Sequence, residues 1–251
     1  MKIERLSGES LSDVYNCIEE NRQVMASEIA ESTRYLKECV DRGWLTYAIY
    51  DDSGTPIGMA ILTPSADALS PVSGEGIYHL QCMNIMKDRR KKRLGIRLIK
   101  RITKDVKALG GKGISVECYG EYWMPKTFFS RVGFEEVERL SHHSIYLKKI
   151  APSANAASAD LPYRGELPAE GIQVDIQHWV TCPFILNNYR KVASTVRRIV
   201  PNAAVYERTI CTKEDVEKWG GSGVYVNGKS VSPGPVSEED IRKAIQRERN
   251  H

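Results

Sequence analysis

No stretch of the chain approaches the roughly 20 apolar residues that a membrane-spanning helix needs. The opening MKIERLSGES also lacks the apolar core of a signal peptide. Cysteine is sparse, six among 251 residues and scattered along the chain. That excludes a disulfide scaffold and leads to the expectation of a reducing cytoplasm. Charge of one sign is in small excess, net +4 with a pI near 8.6, which names neither a nucleic acid nor a membrane as partner. Metal-ligand spacing is missing: five histidines include the adjacent His142 and His143, with no paired Cys or carboxylate pattern beside them. There is no internal repeat. What is present, 41% hydrophobic and 27% charged residues, is the mixture of a globular protein and excludes wholesale disorder.

The length suits two domains better than one. The clearest shift in composition is APSANAASADLP at 151–162, rich in Ala, Ser and Pro and free of aromatics. Such a segment buries too little surface to order itself. The reading is therefore a domain over 1–150, a linker over 151–170 and a smaller domain over 171–251.

In the first domain, LSDVYNCIEE and SEIAESTRYLKECVDRG carry apolar residues at helical spacing, the second ending at Gly43. WLTYAIY and PIGMAILT read as strands joined by an Asp51–Gly54 turn, and GIYHLQCMNI as a third, more buried strand. Leu94, Leu98, Ile102 and Val106 fall four apart on one helix face. A strand over 112–118, a short helix in WMPKTFFSRV and strands over 134–140 and 144–149 complete an α+β layout with one helical crossover. SADALSPVSGEG reads as a lid or a plain loop.

The most informative stretch is IMKDRRKKRLGIRLIKRI at 85–102. A buried strand ends at Ile85 and a helix opens near Leu94. Backbone N–H groups at a helix start point outward and its dipole favours anions. Arg90, Lys91, Lys92 and Arg93 oppose that dipole, a conflict that a bound phosphate resolves, and Gly95 gives such a ligand room near the backbone. A solvated helix face is the plain alternative. Nucleic-acid phosphates would also suit the run, but no aromatic residues are interleaved as a stacking platform requires, so no nucleic-acid partner is expected.

Arg90-Lys91-Lys92-Arg93-Leu94-Gly95-Ile96 resembles the pyrophosphate-binding motif Q/R-x-x-G-x-G/A of GNAT acetyltransferases. Phe128-Phe129-Ser130-Arg131-Val132-Gly133-Phe134 resembles the later fY-x-x-x-GF signature of that family, and the element order over 1–150 is similar as well. The resemblance implies the GNAT acyl-CoA N-acyltransferase fold, with acetyl-CoA between the strand ending at Ile85 and the one starting near Gly113. Residues 90–96 would bind the pyrophosphate, and the backbone of Met83, Asn84 and Ile85 would pair with the pantetheine arm. It further implies direct acetyl transfer in a ternary complex to a primary amine of a small molecule or peptide. Two positions depart from the family pattern: Arg93 stands at the motif's first glycine, and Phe129 stands where a tyrosine often protonates the departing thiolate. Tyr119 and Tyr122 are the substitutes at hand.

A general base in this family usually lies on the central strands. The residues available are His79, with an unperturbed pKa of about 6.5, and Glu117. The plain alternatives are a satisfied sheet histidine and a solvated edge glutamate. A homodimer is left open.

The second domain reads strand 172–179, helix 184–199, strand 203–208, helix 213–219, strand 224–226, an Asn227-Gly228 turn, a further strand, and a helix 238–247 capped by Ser237 with Asp240 three residues on. This βαβαββα order is thioredoxin-like. Thr181-Cys182-Pro183 follows the first strand and opens a helix, a place where a thiolate is stabilised and reactive. The segment resembles the C-P-x-C loop of glutaredoxin-like domains, with Ile185 at the second cysteine and Gly223 near the usual cis-proline. Cys182 is thus a working thiol or a structural one, and Cys211 a possible resolving partner. The other four cysteines read as small core residues. A GNAT domain followed by a small α/β thioredoxin-like domain resembles the YoaP-like bacterial acetyltransferases. Two further readings stay open: a thiol-redox or redox-gated protein acting through Cys182, and an acyl-CoA-binding module without catalysis.

Overall fold

A computed structural model describes the chain except for Lys91, Tyr122, Ser141, His142, residues 159–162, Ala169, Pro233, Gly234, Asn250 and His251, and except for the side chains of residues 19–21. The chain forms two compact units, Met1–Arg22 with Thr33–Asp160, and Gln23–Ser32 with Leu161–His251.

The first unit is built on a seven-stranded sheet. Its strands are β1 (Lys2–Arg5), β2 (Leu45–Tyr50), β3 (Pro56–Pro64), β4 (Ile77–Ile85), β5 (Gly113–Cys118), β6 (Glu135–Arg139) and β7 (Ser144–Lys149). They lie in the order β1-β2-β3-β4-β5-β7-β6. Every neighbouring pair is antiparallel except β4–β5. That single parallel step needs a crossover, supplied by helix α2 (Leu94–Ala108). Its face of Leu94, Leu98, Ile99, Ile102 and Val106 is buried. There it packs with Leu80, Ile114, Val116, Phe129 and Phe134, and each such side chain contributes about 1.5–3 kcal/mol by leaving water. Helix α1 (Ala26–Asp41) precedes β2 and helix α3 (Lys126–Arg131) follows β5.

Three features differ from the sequence reading. β1 was not expected: four residues of mixed charge on a sheet edge carry little periodic signal. The first helix is a tight helical run over Gly8–Asn21, kinked at Tyr15 and Ile18. The 65–75 loop is no lid, since Ala68, Leu69, Ser70 and Val72 are buried, and the Ser65 hydroxyl donates to the Gly74 carbonyl at 2.6 Å.

The second unit is a four-stranded sheet of β8 (Gln173–Trp179), β9 (Ala204–Ile210), β10 (Gly223–Val226) and β11 (Lys229–Ser230) in the order β11-β10-β8-β9. β8 and β9 are parallel and the other pairs antiparallel. Helices α4 (Pro183–Ile199), α5 (Lys213–Trp219) and α6 (Glu238–Arg249) connect and close it. Asn227 and Gly228 both have positive φ, 45° and 77°, the conformation of a tight two-residue hairpin. Ser237 and Asp240 cap α6 reciprocally: the Asp240 N–H donates to Ser237 Oγ at 3.2 Å, and the Ser237 N–H donates to the Asp240 carboxylate at 3.0 Å. At the centre, fully buried Asp175 accepts from Arg208 at 2.8 and 3.1 Å, from the Tyr163 hydroxyl at 2.7 Å and from Gln173 Nε2 at 2.7 Å.

The segment read as a linker is taken up from both ends. Ala154 and Ala156 are buried beside Ile77 and Leu147 of the first unit, and Ala157 forms a β-bridge with Ser73. In the second unit Tyr163 reaches Asp175, and the Glu166 carbonyl accepts from Gln173 Nε2 at 2.8 Å. Alanine-rich sequence is small enough to lie flat on an existing surface, so low hydrophobic volume did not mean disorder here.

Candidate functional site

At the start of α2, the strand β4 ends at Ile85 and a single turn over Lys87–Arg89 follows. Arg90 is turned back, its Nε donating to the Ile85 carbonyl at 3.0 Å. Arg89 pairs with Asp88 at 2.9 Å and with Asp51 at 3.6 Å. Lys92 and Arg93 are exposed, and Lys91 lies outside the described residues. Arg93 occupies the left-handed region, φ 56° and ψ 17°, where side-chain-bearing residues are strained by roughly 1–2 kcal/mol. The residue that replaces the motif's first glycine has therefore kept the glycine's backbone. A left-handed residue running into a helix turns consecutive N–H groups toward one point, a concavity suited to an anion. Among the described residues no side chain caps this helix and no acidic residue lies in its first turn, so the N–H groups of Leu94, Gly95 and Ile96 are available to a ligand.

Gly95 also has a packing role. A Cβ there would stand 2.9 Å from the Phe128 ring and 3.2 Å from Met83 Cε, so a larger residue would have to push both side chains away.

The second element of the site is a parting of strands. β4 and β5 pair from Ile77↔Gly113 to Leu80↔Val116 and no further, whereas β3 stays paired with β4 out to Gly58↔Ile85. The far half of β4, including Met83, Asn84 and Ile85, thus has an edge not taken by β5. The register shifts where Ile61 meets Cys82 and Leu62 meets Leu80, which leaves Gln81 as an extra, bulged residue at the point of divergence.

His79 and Glu117 share the sheet face opposite α2, because their neighbours Leu80, Val116 and Cys118 belong to the α2 core. His79 is 1% exposed and sits inside the paired region, its Nδ1 3.1 Å from the Ser115 hydroxyl on β5. Glu117 lies one residue beyond the last paired position and is 8% exposed. Its Oε2 accepts from the Tyr119 hydroxyl at 2.7 Å, and its Oε1 is buried without a hydrogen-bond partner. Burial and the Glu117 carboxylate push the Tyr119 hydroxyl well above its ordinary range. Tyr119 also stacks on His143 with ring centroids 5.3 Å apart. Phe129 is buried edge-to-face against Phe134 at 5.2 Å, part of the core. Tyr122 lies outside the described residues.

In the second unit, Cys182 is the residue preceding α4 and Pro183 is in its first turn, as read from sequence. The thiol does not follow the helix-dipole expectation. Burial raises its pKa, outweighing the opposite effect of the Phe184 and Ile185 N–H groups. Cys182 and Cys211 are both half-buried, and neither is in a disulfide. Gly223 opens β10 and no peptide bond is cis among the described residues. Of the other cysteines, Cys39 and Cys118 are buried and pushed up to about 12 by that burial, Cys82 is half-buried, and Cys17 is exposed rather than core. No group of three or more His, Cys, Asp or Glu residues positioned for a metal exists among the described residues. No helix among them is long and apolar enough to cross a membrane.

Sequence reasoning missed Gln81. A bulge is a register event between two strands and leaves no periodic mark in one of them; the polar Gln81 within an apolar strand was the only signal.

No protein-family model matches the chain, and no curated protein matches it. Solved structures similar to it include a GNAT-family acetyltransferase from Staphylococcus aureus, 13% identical over 59% of this chain and 99% of that one, with a TM-score of 0.46. PaiA N-acetyltransferase from Thermoplasma acidophilum, in complex with coenzyme A, is 20% identical over 59% and 99% of the two chains, TM-score 0.44. Aminoglycoside 6′-N-acetyltransferase from Enterococcus faecium is 16% identical over 62% and 100%, TM-score 0.44.

Proposed function

We propose that the chain is an acetyl-coenzyme A-dependent N-acetyltransferase that moves an acetyl group directly to a primary amine. The observation that carries this reading is the left-handed Arg93 at the uncapped, cation-rich start of α2, beside a β4 edge released by the parting of β4 and β5. The N–H groups of Leu94, Gly95 and Ile96, with Lys91, Lys92 and Arg93, hold the pyrophosphate. Arg90 supports the turn through Ile85 and is freed to reach phosphate when ligand binds. The pantetheine arm lies along Met83, Asn84 and Ile85 and brings the thioester to the divergence point.

Transfer requires a neutral amine, and Glu117 is the group placed to take its proton, directly or through one water. The neutral amine nitrogen attacks the thioester carbonyl and the C–N bond forms; the C–S bond then breaks, and the proton that the nitrogen loses in becoming an amide goes to the thiolate. With Phe129 in the core, no hydroxyl at that position serves the thiolate, whose conjugate thiol has a pKa near 8.5 and leaves without obligatory acid help. His79, bound to Ser115 inside the paired region, is assigned to holding β4 and β5 together up to the point where they part. The second unit is read as thioredoxin-like, supported by its strand order, making the whole a YoaP-like pairing. Half-buried Cys182, its pKa raised by desolvation, is the wrong way from a low-pKa thiolate, which weakens the thiol-redox reading.

Calorimetric titration of acetyl-CoA into the wild type and an Arg90→Ala/Arg93→Ala variant tests the proposal. Saturable binding weakened at least tenfold in the variant is expected. No binding by the wild type at millimolar acetyl-CoA removes the reading.

A further inference from the structure

Two oxygen atoms at the divergence of β4 and β5 are buried and accept no hydrogen bond: Glu117 Oε1 on β5 and Gln81 Oε1 on β4. They belong to the same sheet face. Leu80 and Met83 pack toward α2, and Cys82 meets Met59 Sδ at 3.9 Å on the other side. The bulge sets Gln81 beside Cys82 on that other side, the side of Glu117. Buried acceptors without donors cost about 1–3 kcal/mol each, and native proteins rarely leave them so. Two of them, one from each strand and both at the point where the strands part, define a demand for N–H donors that the described residues do not meet.

Resting on the acetyl-transfer reading above, we infer that Gln81 and Glu117 form a two-oxygen clamp for the acceptor, which is a primary ammonium. An ammonium carries three N–H donors. Two point to Gln81 Oε1 and Glu117 Oε1, and the bulge is what brings the β4 oxygen into reach. The clamp holds the nitrogen at the end of the thioester channel. When Glu117 removes one proton, the neutral amine remains tethered to Gln81 with its lone pair free for the carbonyl carbon. Gln81 is thus a positioning residue, and an alcohol, uncharged and with a single O–H donor, is a poor acceptor.

The test uses the full chain with acetyl-CoA and four probe acceptors: n-butylamine, putrescine, a lysine-containing peptide with a blocked N-terminus, and 1-butanol as the alcohol. For Gln81→Leu, the amine KM is expected to rise about tenfold with kcat within about twofold and acetyl-CoA affinity unchanged. Gln81→Glu, which keeps an oxygen in place, is expected to restore the amine KM. Thermal unfolding of each variant checks that the sheet is intact. If wild type fails to bind acetyl-CoA, the acetyl-transfer reading falls first. If it binds and turns over primary amines but Gln81→Leu leaves their KM unchanged, or shifts acetyl-CoA affinity equally, the clamp is wrong and the transferase stands. Binding of acetyl-CoA with no turnover of any primary amine, or equal use of 1-butanol, also overturns the clamp.

Discussion

Each unit contains one pair of parallel strands with a helix starting just beyond its first strand, and the two pairs end differently. In the second unit, β8 and β9 stay in register over seven positions, from Gln173↔Ala204 to Trp179↔Ile210. In the first, β4 and β5 hold for four positions and separate after Leu80↔Val116. The C-terminal ends of parallel strands are where open α/β sheets place ligands. The contrast lies in what the two strand ends offer a ligand. At β4–β5 the parting releases a strand edge, exposes cations around the start of α2 and leaves two buried oxygens without donors. At β8–β9 the ladder continues, a buried carboxylate is fully paired, and the cysteine at the helix start is pushed away from ionisation.

The largest effect that sharpens this comparison concerns Asp175. Asp175→Ala strips Arg208, Tyr163 and Gln173 of a shared partner, and loss of one member of a buried pair costs about 3–5 kcal/mol. Denaturant unfolding followed at the second unit should show that loss while acetyl-CoA affinity of the first is unchanged. An unaltered midpoint would mean that the continuous β8–β9 ladder does not depend on this charge.

Next in size is Glu117→Gln. It keeps the shape and the Tyr119 contact but removes the base, so kcat should fall about 100-fold with acetyl-CoA affinity preserved. Retained kcat would shift the proton to water alone.

Smaller again is Arg93→Gly. It relieves a left-handed side chain, so the unfolding free energy should rise by about 1 kcal/mol or less, while acetyl-CoA affinity falls through the lost charge. Equal or tighter binding would show that the backbone concavity, not the guanidinium, holds the anion.

The smallest effect is at Cys182. Its raised pKa keeps the thiol neutral through the ordinary cysteine range, so iodoacetamide labelling should be slower at neutral pH than at exposed Cys17 and should climb only in alkali. The sign for stability follows from the same direction: the unfolded thiol ionises first, so the stabilisation is complete below the ordinary range and is lost as pH rises through the folded value. A labelling profile with its midpoint below the ordinary thiol range would restore Cys182 as a reactive group.

Much of this architecture was legible in the chain. The four-residue spacing of Leu94, Leu98, Ile102 and Val106 marked the buried face of α2, Asn227-Gly228 marked a hairpin, and Ser237 with Asp240 marked the start of α6. The basic loop marked the candidate site. Less visible were the kink in Gly8–Asn21, the edge strand β1 and the packing of residues 154–157, because each depends on a surface made by distant segments. The packing of Gly95 was hidden for the same cause: Phe128 is 33 residues away in sequence and its ring takes the space a Cβ would need.

Helical and strand periods, turn residues and caps act between neighbours a few positions apart, so the sequence alone determined where most elements begin and end and that cations gather before α2. Where β4 and β5 part, which side Gln81 takes, whether Glu117 faces donors or none, and which way burial moves Cys182 were decided only by tertiary structure. Register, desolvation and hydrogen-bond pairing are properties of two or more segments together, and no single segment carries them.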